Sequence, residues 1–147
     1  MLKNRLIISE VFKMDYDTID ELKFINCLKD EEFFENEFEQ IKKFYPMEGC
    51  EDIHNFLKNS HGVIVILKKV KPLLGEYVPY AEFYLRLDID PIFIPQLLLV
   101  VNAHKHDFEN GFKDDIMKIN YSIRPLLSKL DLNCEFFIFD AMIHESN

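Results

Sequence analysis

Two histidines stand two residues apart in NAHKHD, Asn102 to Asp107. On an extended strand His104 and His106 project from one face, and two imidazoles with a carboxylate such as Asp107 are donor types that hold zinc. His54, His61 or His144 would complete the site if the fold brought one close. The same pair also suits a solvated strand end, so a metal-dependent enzyme stands here as the alternative reading. Asp88 and Asp90 in RLDIDP share a strand face, where paired carboxylates bind a divalent cation or exchange protons. Ahead of a proline they equally suit a turn. Cys27, Cys50 and Cys134 are odd in number and far apart, which fits neither a disulfide framework nor a CxxC site. The glycines in HGVIVI, LLGEY and ENGF are isolated, so there is no phosphate-cradling loop and no dinucleotide fingerprint. The residues supply parts for catalysis without an arrangement; the expectation is a chain that is not an enzyme and needs neither metal nor cofactor.

Charge points instead to binding. The net charge is −9, and residues 15–39 carry ten acidic side chains against two basic ones. Nucleic-acid binders neutralise phosphates with a basic stripe, which is missing, so nucleic acid and anionic membrane are disfavoured and a basic protein is favoured. The longest apolar run, Ile92 to Val101, includes Pro95 and Gln96. It is half the roughly 20 residues of a membrane span. The N-terminal MLKNRLIISEVFK has only three apolar residues in a row before Ser9 and Glu10, too few for a signal peptide. A cytoplasmic location is expected.

The acidic segment centres on DEEFFENEFEQIKKFY, Asp30 to Tyr45. At helical spacing Phe33, Phe34, Phe38, Ile41, Phe44 and Tyr45 share an arc of roughly 140°, the width of a core-facing side. Glu31, Glu32, Glu35 and Glu39 gather on the other side. Glu37 falls inside the apolar arc, which requires an irregular helix or a basic or hydrogen-bonding partner, because an unpaired buried carboxylate is costly. With Asp17, Asp20 and Asp30, the four outward glutamates form the candidate partner-binding surface. A second candidate is the sheet face bearing Tyr80, Glu82, Tyr84 and Arg86, suited to an adaptor subunit.

The elements that position these residues follow from periodicity. LIISEVFK, Leu6 to Lys13, predicts a first strand. Thr18 and Glu21 have capping-box spacing ahead of a helix with Leu22, Ile25 and Leu28. The acidic helix follows and stops before Pro46, and a short third helix is expected between Met47 and Gly62. GVIVILKKVK reads as a strand, KPLLGE as a turn and EYVPYAEFYLRLDI as its antiparallel partner; QLLLVVNAHKH is a further strand. Residues 111–130 return to helical spacing, kinked or split at Pro125. CEFFIFDAMI closes the chain as a strand. The expected fold is α+β, a single domain over residues 1–147 with a mostly antiparallel sheet, helices packed on one face, and the order β-α-α-(α)-β-β-β-α-β.

A small, acidic, cysteine-poor, motif-free α+β chain rich in Phe, Ile, Lys and Asn resembles the immunity proteins that protect bacteria from polymorphic or contact-dependent toxins. The resemblance spans the whole chain and rests on overall profile, so it transfers no residues. It implies a non-enzymatic inhibitor that covers a toxin domain, and many such toxins are nucleases with basic, phosphate-binding clefts.

Overall fold

A computed structural model describes residues 20–89 and 94–143. They form α1 (Glu21–Cys27), α2 (Glu31–Phe44), β1 (Met47–Glu48), α3 (Cys50–Asn59), α4 (His61–Tyr77), β2 (Glu82–Asp88), β3 (Gln96–Ala103), α5 (Lys113–Lys129) and β4 (Phe136–Met142). A helical turn at Lys105–Asp107 runs through Phe108–Phe112 into α5, bending where Gly111 adopts φ 99°. The strand expected over Leu6 to Lys13 and the Thr18 cap lie outside the described residues. Helix α1 starts instead behind Asp20, whose carboxylate accepts the Leu22 N–H at 3.0 Å.

The α+β class holds, with two corrections. GVIVILKKVK is no strand: it belongs to α4, a 17-residue helix. Val63, Ile64, Val65, Ile66 and Leu67 are all at most 3% exposed, and α1, α2, α3 and α5 all contact this helix. A segment buried on every side loses its periodicity, so β-branched composition favoured the wrong element. The expected turn at Pro72 and Gly75 lies within the same helix.

The sheet is mixed rather than mostly antiparallel. Its order is β1-β2-β3-β4, with only β2 and β3 antiparallel. With α4 helical, β2 has no antiparallel partner before it, and the two-residue β1 pairs beside it in parallel, Met47 opposite Leu85. The chain leaves β3, passes through α5 and returns as β4 in parallel, as a helical crossover requires. Pro125 sits inside α5 without splitting it. The observed order of the described elements is therefore α-α-β-α-α-β-β-α-β.

Alternation along the strands sorts the sheet faces as expected for a half-covered sheet. Leu85, Leu97, Leu99, Val101, Ala103 and Phe136 enter one core with the helices. On the other face stand Tyr84, Arg86, Leu98, Phe137 and Phe139, the last two 42% and 52% exposed.

Helix α2 lies against α4 with Phe33, Phe34, Phe38, Ile41 and Tyr45 buried. Phe44 departs from the expected arc: it is exposed, and the Lys71 ammonium sits 3.0 Å above its ring. Glu37, buried at 2% exposure, has its basic partner in Lys68 of α4, which meets an Oε2 that no other donor among the described residues reaches. Lys68 also lies 5.0 Å from the Phe24 ring. Removing one member of a buried pair strands the other charge. Lys68→Ala should therefore lower stability by about 3–5 kcal/mol, while the joint change Glu37→Leu with Lys68→Met should recover most of that loss in urea unfolding.

Candidate functional site

The acidic surface is built by α2 and its neighbour α3. Asp30 opens α2 as an N-cap, its carboxylate accepting the Phe33 N–H at 2.9 Å. Glu31 and Glu32 fill the first turn, where the helix dipole favours negative charge, and Lys42 and Lys43 close the last. Phe34 and Phe38 turn inward against the His54 ring of α3, with centroids 5.4 and 4.6 Å away. That contact brings His54 Nε2 to 2.7 Å from Glu35 Oε1. Gly49, at φ 78°, makes the left-handed turn that swings the chain from β1 into α3. Glu51 and Asp52 are exposed in its first turn. Glu51 lies one turn before His54, so α3 extends the carboxylate face begun by α2.

The seven sequence-chosen acids separate into distinct roles. Asp17 lies outside the described residues. Asp20 and Asp30 are caps, and Glu35 is half-buried against His54. Glu31, Glu32 and Glu39 are exposed, and among the described residues none of them forms an ion pair. Sequence reasoning missed Glu51, Asp52 and the seating of His54. The acids after Gly49 were visible, but nothing local links α3 to α2.

The other candidates do not assemble. Strand β3 ends at Ala103, so His104 and His106 follow it rather than share its face. His106 Nδ1 lies 3.5 Å from Asn110 Nδ2. Among the described residues no group of three or more His, Cys, Asp or Glu gathers to hold a metal. His61 stacks near Phe34, and burial, with Lys29 nearby, holds its pKa below the ordinary histidine value. Asp88 is exposed at a strand end, and Asp90 is outside the described residues. Burial pushes the Cys27 thiol up, away from the nucleophilic thiolate. Tyr80 leaves the expected sheet face to donate to Asp115 of α5 at 3.1 Å; burial, aided by that carboxylate, pushes its pKa up to about 12. A cleft of about 330 Å³ between α2 and α4 carries Lys68 and Lys71, the first already held by Glu37. No described helix is long and apolar enough to cross a membrane.

Capping acids and surface acids should separate in unfolding experiments. Asp30→Ala should cost about 1 kcal/mol through the lost cap. Glu39→Gln should stay within about 0.5 kcal/mol of the parent. No family model, curated protein or solved structure matches this chain.

Proposed function

We propose that this chain is a non-enzymatic binding protein: a cytoplasmic immunity protein that neutralises a basic toxin domain of nuclease type through the carboxylate face of α2 and α3. The observation that carries the reading is the set Glu31, Glu32 and Glu39, exposed and without counter-ions among the described residues, on a helix whose opposite side is buried. A solvated face costs a protein nothing, but one that leaves like charges unneutralised raises its own field. Such a field steers an oppositely charged partner and contributes on-rate and specificity more than affinity. A nuclease cleft built for phosphates offers arginines and lysines to which carboxylates can bind in their place.

Within this reading the residues divide by task. Glu31, Glu32 and Glu39 meet the partner directly. Glu35 is oriented by His54, and Asp30 adds its charge while it caps the helix. Rigidity matters because side chains already held in place lose less entropy on binding. Phe34 and Phe38, packed beneath His54, supply that rigidity.

The partner to test is a large secreted protein with a variable C-terminal domain, sought in the gene immediately upstream. Co-production should restore growth of cells making its toxic domain. Joint replacement of Glu31, Glu32 and Glu39 by lysine should slow association at low salt roughly tenfold or more. The same replacement should flatten the dependence of that rate on salt. An unchanged rate and salt slope would remove this face from the account.

A further inference from the structure

The two ends of the sheet are treated differently. At one end β1 has two residues, follows Pro46, and lies beside a β2 that carries Glu82, Arg86 and Asp88. Short strands, prolines and charges are the usual means of discouraging a further strand. At the other end β4 runs for seven residues, FFIFDAM, with no proline or glycine and Asp140 as its one charge. The bonds Leu97 N–H to Glu135 O and Ile143 N–H to Ala103 O frame its parallel ladder with β3. They place the odd-numbered residues of β4 in that ladder. Backbone groups alternate sides along a strand, so those of Phe136, Ile138, Asp140 and Met142 point along the open edge. Among the described residues no strand pairs with them.

Beside this edge a cleft of about 330 Å³ lies between α5 and β4, lined by Met117, Tyr121, Arg124, Phe137 and Ile138 among others. Met117, Tyr121, Phe137 and Phe139 are 50%, 59%, 42% and 52% exposed. Together they leave on the order of 400 Å² of largely apolar side chain in water, about half of what one partner brings to a standard interface. Strand backbone adds to that area. Arg124 stacks on the Tyr121 ring at 4.9 Å and forms no ion pair among the described residues.

We propose that the β4 edge binds the β4 edge of a second copy of this chain, antiparallel, about a twofold axis at Phe139. This register opposes Phe136 to Met142 and Ile138 to Asp140. Every outward backbone group of the strand then gains a partner, about eight bonds in all. With the axis at Ile138, Met142 is left unpaired; at Asp140, two aspartates face each other. The chosen register also brings Asp140 of the second copy beside Ile138, on the side where Arg124 lines the cleft. Each copy supplies the carboxylate that the other's arginine lacks. A chain of net charge −9 meets itself most easily where charge is sparse, and β4 is such a place. The interface does not use the carboxylate face of α2, so it stands apart from the proposed function.

Sedimentation of the full chain over a range of concentrations tests the proposal. The parent should be a dimer, and Phe139→Lys a monomer with unchanged circular dichroism and thermal unfolding. In a Cys134→Ser background, Phe139→Cys should form an inter-chain disulfide on mild oxidation, because axis-related β-carbons in a non-hydrogen-bonded pair lie about 4.5 Å apart, the upper end of what a disulfide spans. Phe137→Cys, whose opposite residue is Ala141, should cross-link far less. A monomeric parent overturns the proposal, and an edge occupied by residues 1–19 or by a different protein would give that result. Equal cross-linking at positions 137 and 139, or a dimer that survives Phe139→Lys, overturns it as well.

Discussion

The buried pair of Glu37 and Lys68 sets the orientation on which the candidate surface depends. The first half of helix α4 is enclosed by other elements, and its run from Val63 to Leu67 offers no polar side. Lys68 follows that run directly and must bring its charge out of the core or find a counter-ion. Glu37 supplies it from α2. Once Glu37 faces α4, the spacing of a helix leaves little freedom: Phe33, Phe34, Phe38 and Ile41 turn inward with it, and Glu31, Glu32 and Glu39 turn to water. A carboxylate placed against the amphipathic pattern thus keeps the acidic face where it is.

Specificity rather than raw stability is the natural role of such a pair. An apolar replacement of similar volume packs at least as well in most buried sites, whereas an ion pair tolerates only one register. Rotating α2 by one residue would carry Glu37 away from Lys68 and leave the half-buried ammonium without its counter-ion. The contact of His54 with Glu35, Phe34 and Phe38 is a second tie, weaker because it is half-exposed, that brings α3 alongside.

How far the sequence could be read follows from the same physics. Helix α2 was legible to its stop before Pro46 and to the need for a partner at Glu37, because one face is wet and the other dry. Strands β2, β3 and β4 were legible in the same way. Helix α4 was not: a segment buried on all sides carries no alternation, and its valines and isoleucines resemble a strand. From that misreading came the wrong sheet, since a helical α4 removes the hairpin and leaves β1 and β2, and β3 and β4, to pair in parallel. The histidine pair failed for a smaller reason, a strand ending at Ala103 rather than at His106. The surface acids were legible, but not the caps that Asp20 and Asp30 also make, and Lys68 as the partner of Glu37 depends on packing that no local pattern encodes.

The charge of the chain gives its two candidate surfaces different physics. At physiological salt a field decays over about 8 Å, so the carboxylates of α2 and α3 act together at their own face and only weakly at a distant one. On that face attraction can precede contact, as it would for any molecule of opposite charge. The β4 edge carries one charge and a row of backbone donors and acceptors, which act only on contact and demand a matching strand. A surface of the first kind selects by charge and orientation; one of the second selects by register. A small acidic domain can hold both, because the interaction that attracts a basic protein to one face is the one that keeps its own copies from meeting there.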